Sequence, residues 1–161
     1  MKKIAVFCGS SEGSDTIFME QASLLGQTLA LKGIGLVYGG ANIGLMGAVA
    51  DGALSQKGNV TGVLPYFLKS KEIAHQHLNQ LILVDNMHER KAKMATLSDG
   101  IITLPGGFGT MEELFEMLTW ASLGLHNKPI GILNSNDFYD SLISLMNTMV
   151  DKKFLKAEII S

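Results

Sequence analysis

Short apolar runs alternate along the chain with longer stretches in which apolar residues recur every three or four positions. The runs predict strands and the longer stretches predict helices, because side chains repeat on one face every two residues in a strand and about every 3.6 in a helix. Strands that alternate with helices indicate a parallel sheet covered on both faces. We therefore predict an α/β fold, with a single doubly wound, mainly parallel, Rossmann-like sheet in one domain over residues 1–161. The predicted strands are Lys3–Cys8, Ile34–Tyr38, Val60–Leu64, Leu81–Val84, Gly100–Leu104 and Ile130–Leu133.

Polar residues before the helical stretches predict where the helices begin, because a side-chain oxygen can accept from the free amides of the first turn. A further helix follows Gly44 and ends near Gln56. The segment Pro65–His77 is predicted to be irregular or briefly helical, and Asp151–Ser161 has the weakest pattern. The predicted caps are Asp15, Asn86, Thr110 and Asp137, for helices that end near Lys32, Ser98, Leu123 and Val150.

Composition narrows the classes of partner. A net charge of −2 provides no broad basic field, which argues against a nucleic-acid polymer as partner. No apolar run approaches the roughly 20 residues that span a bilayer, so no membrane partner is expected. Cys8 is the single cysteine and cannot form an intrachain disulfide. With no secretory pattern at the start of the sequence, we expect a cytoplasmic location.

Three glycine-bearing loops follow predicted strands: Gly9–Ser11, Gly39–Gly40 and Gly106–Gly109. In a parallel sheet these loops meet at the carboxyl ends of the strands, where ligands bind. The chain lacks both the G-x-G-x-x-G pattern of dinucleotide sites and the Gly-Lys-Ser/Thr of NTPase loops. A glycine turn that opens a helix can still bind one phosphate through backbone amides, as in a mononucleotide or a sugar phosphate.

The helix after this turn carries Glu112, Glu113 and Glu116. Glu113 lies three residues after Thr110, which is the spacing of a capping box, so one interpretation is that it only bonds the Thr110 amide. Three carboxylates beside a phosphate site are electrostatically costly, which favours a functional role for at least one of them. Both interpretations of Glu113 stay open at this point.

Arg90 recurs at helical spacing with Met87, Met94 and Leu97, which places a guanidinium in an apolar stripe. Such an arginine serves either a ligand or an internal ion pair with Glu113 or another acid. Spacing alone predicts that Lys91 is solvated. The histidines lack metal-ligand spacing, so no metal site is expected. Cys8 is predicted to be a small buried hydrophobe, and Trp120 and the methionines to fill core or subunit contacts.

Met87–Lys91, with the sequence MHERK, and Leu104–Glu113, with LPGGFGTMEE, together resemble the LOG family of cytokinin riboside 5′-monophosphate phosphoribohydrolases. The similarity continues through Gly39–Gly47 and Thr119–Ala121 and thus covers nearly the whole chain. Phe108 stands where tyrosine is common, and family members often continue beyond the position of Ser161. Members carry the label "lysine decarboxylase-like", but no lysine here has a recognisable Schiff-base context.

The resemblance implies a hydrolase that cleaves the N-glycosidic bond of a nucleoside 5′-monophosphate, without a cofactor, and a homodimer. Arg90 and Glu113 match the family's catalytic pair. The resemblance assigns substrate binding to Glu72, Lys91, Thr119 and the loop from Gly107 to Glu113, which overrides the solvated prediction for Lys91. The full set of predicted substrate-binding residues is Glu72, Arg90, Lys91, Gly106, Gly107, Phe108, Gly109, Thr110, Met111, Glu112, Glu113, Thr119, Ser10, Gly39, Gly40 and Met87.

A mechanism is compatible with these residue types. Cleavage at C1′ develops positive charge on the ribose, which a fixed carboxylate at Glu113 can stabilise while it orients water. Arg90 would hold the phosphate or the ribose. The alternative is a protein that binds a nucleotide or the molybdenum cofactor without catalysis, as the similar molybdenum-cofactor carrier proteins do. The sequence leaves the base specificity open between cytokinin precursors, AMP and other nucleotides.

Overall fold

A computed structural model describes residues 1–69 and 74–160. Six strands form one sheet in the order β4-β3-β2-β1-β5-β6, and all neighbouring strands are parallel. The predicted fold class is therefore confirmed. The strands are β1 (Lys3–Phe7), β2 (Gly35–Tyr38), β3 (Val60–Pro65), β4 (Gln80–Val84), β5 (Gly100–Thr103) and β6 (Ile130–Ile132), and the α-helices are α1 (Thr16–Leu31), α2 (Gly44–Ser55), α3 (Met87–Leu97), α4 (Phe108–Ser122) and α5 (Asp140–Asp151).

Side chains of the central strands alternate between two hydrophobic cores. In β1, Ile4 and Val6 belong to the core that α1 and α2 cover. Ala5 and Phe7 belong to the opposite core, which includes Met94 of α3. Because consecutive strand residues point to opposite faces, a strand buried on both sides is almost wholly apolar. This explains why the strands were visible in the sequence as continuous apolar runs.

The order of the strands reverses at β1. The chain builds β2, β3 and β4 outward on one side of β1 and then returns to place β5 on its other side. Val6 pairs with Ile102 and Phe7 pairs with Thr103 across this junction. Ligands of open α/β sheets bind outside the carboxyl ends of the strands at such a reversal. The loops that follow β1, β2 and β5 meet there, and they are the three glycine-bearing loops of the sequence.

Two of the four predicted helix caps are confirmed and two are wrong. The side chain of Asp15 accepts from the amide of Ile17, and that of Asn86 accepts from the amide of Glu89. Thr110 is not a cap, because α4 begins two residues earlier and its N-cap is Gly107, which has no side chain. Asp137 lies instead in a 3₁₀ turn over Ser135–Asp137 that precedes α5.

The connection predicted to be irregular, Pro65–His77, begins with the end of β3 and a 3₁₀ turn over Tyr66–Leu68. Beyond residues 70–73, which the structure does not describe, Ala74 forms an isolated antiparallel bridge with Ala41. After α5 the chain forms another 3₁₀ turn, over Ala157–Ile159. Within the described ranges, no helix combines the length and the apolar character that crossing a membrane requires.

Candidate active site

The loop after β1 is bonded to the loop after β5 and to the first turn of α2, which follows the loop after β2. The amide of Gly9 donates to the carbonyl oxygen of Pro105 at 3.0 Å, and the amide of Met46 donates to the carbonyl oxygen of Gly9 at 3.3 Å. At Gly44, which has φ +55°, a Cβ atom would lie 2.3 Å from the carbonyl carbon of Ser10. No side chain fits between these backbones, so glycine is required for their approach. The loops therefore lie against one another in one rim.

A cavity of about 470 Å³ opens at this rim, at the carboxyl ends of the strands. This is the position that the sequence predicts for a ligand site, and the volume lies in the range of small-molecule sites. Ten of the predicted site residues line it. They are Ser10, Gly39, Met87, Arg90, Gly106, Gly107, Phe108, Gly109, Thr110 and Glu113.

Arg90 lies on α3 and lines the cavity. It is only 5% exposed, and its Nε donates to the carbonyl oxygen of Val63 at 3.0 Å while its Nη2 donates to that of Gly39 at 2.8 Å. Arginine carries its charge at any ordinary pH. The guanidinium thus brings a fixed orientation and a positive charge to the cavity wall.

Glu113 faces the same cavity from α4 and is 8% exposed. Of the two interpretations of Glu113, the capping box is wrong, because Thr110 lies inside the first turn of the helix rather than at the cap. Glu113 and Arg90 are close enough to Cys8 to act on its thiol. Burial raises the pKa of Cys8, the charge of Glu113 raises it further, and the charge of Arg90 opposes both. Cys8 is therefore a protonated, buried residue, as predicted.

The start of α4 presents bare backbone amides to the cavity. The first intrahelical bond runs from the amide of Met111 to the carbonyl oxygen of Gly107, so the amides of Phe108, Gly109 and Thr110 have no partner within the helix. Gly107 provides no side-chain cap, and Cβ atoms added at Gly107 or Gly109 would meet nothing within 4 Å. An uncapped helix N-terminus with open space above it suits an anion such as phosphate.

Gly106 has a different reason to be glycine. A Cβ atom there would lie 2.1 Å from the Oγ1 atom of Thr110 and 2.9 Å from the amide nitrogen of Gly9. Gly106 therefore lets the turn close onto α4 and onto the first loop. Of the glycines in this motif, Gly106 serves packing, whereas Gly107 and Gly109 leave space for a ligand.

Sequence reasoning missed the apolar part of the cavity wall. It comes from residues of α1, of α2, of the 3₁₀ turn after β3 and of the segment before α5, whose spacing resembled that of ordinary core residues. No charge or glycine pattern distinguishes them, so only the fold brings them to the site. These residues are Phe18, Leu45, Met46, Leu68 and Phe138.

Lys91 and Glu112 were predicted to bind substrate but lie outside the cavity lining. Lys91 is 2% exposed, so the solvated position that spacing predicts for it is wrong. Its Nζ is paired with Oε1 of Glu112 and lies 3.0 Å from Oε2 of Glu116. Burial lowers the pKa of Lys91, but hydrogen bonds and charges from Glu112 and Glu116 outweigh burial, so the net pKa is raised.

Three other predicted residues also lie outside the lining. Gly40 has φ +84° and faces Leu81 and Leu64 rather than the cavity. Met111 lies within α4, where its amide donates to the carbonyl oxygen of Gly107. The Thr119 hydroxyl donates to the carbonyl oxygen of Phe115 at 2.7 Å. Glu72 falls outside the described residues. In residues 1–69 and 74–160, no group of three or more metal-binding side chains is close enough to hold an ion.

A doubly wound parallel sheet with its cavity at the strand reversal defines a Rossmann-like α/β protein. Solved structures share this fold. The molybdenum cofactor binding protein from the phototrophic bacterium Rippkaea orientalis superposes with a TM-score of 0.71 at 26% identity, covering 91% of this chain and 85% of that chain. The molybdenum cofactor carrier protein from Chlamydomonas reinhardtii has a TM-score of 0.71 at 23% identity, with 89% and 83% covered.

Sequence comparisons define the family within this class. The family model described as "Possible lysine decarboxylase" matches residues 46–161. A probable cytokinin riboside 5′-monophosphate phosphoribohydrolase of Oryza sativa subsp. japonica is 47% identical, covering 97% of this chain and 70% of that protein. A cytokinin riboside 5′-monophosphate phosphoribohydrolase of Arabidopsis thaliana is 45% identical, with 96% and 68% covered. The chain belongs to the LOG family, which confirms the predicted resemblance.

Proposed function

We propose that this protein hydrolyses the N-glycosidic bond of a nucleoside 5′-monophosphate, of the cytokinin riboside or AMP type, to a free base and ribose 5-phosphate. Its relatives at about 45% identity carry the name of this activity. The observation that carries the proposal is that Arg90 and Glu113, from two different helices, face one cavity beside the uncapped start of α4. That arrangement offers a phosphate site and a carboxylate in reach of the same ligand.

The phosphate site at the start of α4 and the Glu113 carboxylate have different roles in the reaction. The 5′-phosphate accepts from the amides that open α4, and Arg90 adds a positive charge beside it. The ribose then lies near Glu113. As the bond from C1′ to the base nitrogen breaks, positive charge develops on the ribose, and the Glu113 carboxylate stabilises that charge and orients a water molecule. Water adds to C1′, and the departing base takes up one proton.

The remaining wall of the cavity suits the base. Phe18, Leu45 and Met46 give this side an apolar surface, and Phe138 lies at its edge. Flat bases and any apolar group attached to them gain from burial against such side chains. Because an apolar wall rejects a similar ligand by only a few kcal/mol, both AMP and N6-substituted AMP belong in the substrate panel.

The experiment is a turnover assay with product analysis. Purified protein is incubated with AMP and with N6-isopentenyl AMP, and free base and ribose 5-phosphate are measured. We expect both products in equal amounts. If the protein binds either nucleotide but releases no base, the hydrolase proposal is wrong.

The structural similarity to the molybdenum cofactor binding protein makes a carrier the second candidate. Molybdenum and pterin in freshly purified protein would favour that candidate.

We also propose a homodimer in the cytoplasm. Large apolar side chains are exposed after α4 and after α5, among them Leu123, Leu125 and Phe154. Exposed apolar groups of this size are typical of surfaces that a partner covers. If light scattering gives the molecular mass of one chain throughout the micromolar range, the dimer proposal is wrong.

Cys8 is a lone free cysteine, as suits a reducing compartment, and microscopy of a fluorescent fusion tests the location.

A further inference from the structure

Lys91 is a buried cation that the proposed reaction does not use. It follows Arg90 directly on α3, and its Nζ is paired with Glu112 and Glu116 of α4. Glu112 in turn precedes Glu113 directly. Each of the two catalytic candidates therefore has a neighbour in the chain that belongs to a charged contact between α3 and α4.

We propose that Lys91, Glu112 and Glu116 form a positioning clamp, which holds Glu113 at the correct place relative to Arg90. This inference rests on the proposed function. The clamp residues lie outside the cavity lining, which favours an action through the two catalytic residues over a contact with the ligand. It differs from the role in substrate binding that the family resemblance implies for Lys91 and Glu112.

The clamp completes a chain of contacts that begins in the sheet. Arg90 is fixed to β3 through the carbonyl oxygen of Val63 and to the loop after β2 through that of Gly39. Lys91 extends this fixed point to α4. Since Glu112 and Glu116 are four residues apart on one helix, removal of the lysine charge leaves two carboxylates that repel each other. α4 would then shift or twist, and Glu113 with it.

Charge balance supports the same role. Lys91 is almost completely buried, whereas the Glu112 side chain is 57% exposed. A buried lysine is retained in a charged form only when partners compensate for the lost water. Here two carboxylates do so. The pair of acids is thus the reason why Lys91 is stable at this position, and Lys91 is the reason why three glutamates can lie within two turns of α4.

The primary test is the variant Lys91→Met, which keeps the length of the side chain and removes its charge. A displacement of about 1 Å at a reacting centre can cost about 100-fold in rate. We expect kcat for AMP or N6-isopentenyl AMP to fall at least tenfold. Binding of ribose 5-phosphate, measured by calorimetry, should change less than threefold, because the phosphate site at the start of α4 is intact.

Three further variants distinguish the positioning role of Lys91 from a direct contact with the ligand and from a loss of folding. Lys93→Met removes an exposed lysine from the same helix and should leave kcat unchanged. Lys91→Arg keeps the charge and should recover most of kcat. The double variant Glu112→Gln, Glu116→Gln leaves Lys91 in place and should lose kcat as Lys91→Met does. Thermal unfolding is measured for each, and if Lys91→Met does not fold, the double variant carries the test.

The outcomes distinguish the two proposals. Without turnover in the wild-type protein, the proposed function is wrong and the clamp with it. If the wild type is active but Lys91→Met keeps kcat within tenfold, the clamp alone is wrong. A rise of more than threefold in the Kd of Lys91→Met for ribose 5-phosphate would show that Lys91 contacts the ligand itself. A double variant with wild-type kcat would show that Glu112 and Glu116 do not position Glu113. Either result overturns the clamp.

Discussion

Arg90 and Gly39 approach so closely that no side chain fits between them. The Nη2 atom of Arg90 donates to the carbonyl oxygen of Gly39 at 2.8 Å, and a Cβ atom on Gly39 would lie 2.2 Å from that same nitrogen. The orientation of the guanidinium therefore requires glycine at position 39, in the loop after β2.

Gly39→Ala should displace the Arg90 guanidinium and reduce kcat/KM by roughly 100-fold, because catalysis depends on the position of the charged group to within about 1 Å. The measurement is steady-state turnover of a nucleoside 5′-monophosphate. Gly131→Ala is the matched control, because the nearest atom to its added Cβ would be 3.9 Å away. Full activity in Gly39→Ala would show that Arg90 is not needed at this position.

Glu113→Gln should greatly reduce turnover while it preserves binding. The amide keeps the shape of the side chain but cannot stabilise positive charge on the ribose, and loss of such a group costs roughly 100- to 1,000-fold in kcat. Turnover and ribose 5-phosphate affinity are measured on the same preparation. If kcat is unchanged and only the free energy of unfolding falls, Glu113 has a purely structural role.

The glycines of the Gly106–Gly109 turn should separate into two classes. Gly106→Ala should lower the free energy of unfolding by about 1–3 kcal/mol, because its methyl group overlaps Thr110 and the backbone of Gly9. Gly109→Ala should be as stable as the wild type or gain up to about 1 kcal/mol from better helix propensity. Its methyl group enters the open space above the amides, so KM should rise at least tenfold. Urea unfolding and kinetics together test the distinction, which fails if both variants behave alike.

Tyr139→Phe should destabilise the loop after β5. The Tyr139 hydroxyl donates to the carbonyl oxygen of Leu104 at 2.6 Å in a buried position, and burial raises the pKa of this phenol, so it stays protonated. Removal of the hydroxyl costs about 1–3 kcal/mol, because it deprives a buried acceptor of its donor. Tyr66→Phe is the control, since Tyr66 is exposed. Equal stability of the two variants in urea would contradict the prediction.

Asp99 should make stability depend on acid pH. Its carboxylate accepts from the amides of Lys2 at 2.5 Å and Lys3 at 3.0 Å, and these bonds lower its pKa below the ordinary value. A lowered pKa in the folded state means that the stabilisation is fully present above the unfolded pKa of about 3.9 and is lost as the pH falls through the folded pKa. Asp99→Asn should remove this part of the pH dependence in urea unfolding, whereas Glu20→Gln, on the exposed side of α1, should retain it. Parallel pH profiles for wild type and Asp99→Asn would contradict this.

The fold was largely predictable because its signals are local. The apolar runs of β1 and β5 are buried on both faces, and Asp15 and Asn86 cap their helices with their own side chains. The two wrong caps have a common cause. Gly107 and Tyr139 begin their helices without a side-chain bond, so polar residues nearby resembled the true starts.

The sequence predicted only those parts of the site that short local motifs define. The glycine loops could be placed at one edge, since a parallel sheet brings its carboxyl ends together. The burial of Lys91 could not be foreseen from spacing, because the carboxylates that compensate its charge lie 21 residues or more along the chain. In the same way, nothing in Phe18 or Leu45 distinguishes a cavity wall from a core before the loops are assembled.

The uncapped first turn of α4 also couples occupancy to stability. In α1 and α3, the side chains of Asp15 and Asn86 accept from amides of the first turn. No side chain caps α4, so an anion can accept from its first amides. A ligand that binds only the folded state adds about 2.7 kcal/mol at 100 times its Kd. In the proposed function, the nucleotide phosphate would supply the cap that the chain omits, and hydrogen exchange of the Phe108, Gly109 and Thr110 amides should slow when it binds. The first turn of α4 would then be less protected in the free protein than in the nucleotide-bound protein.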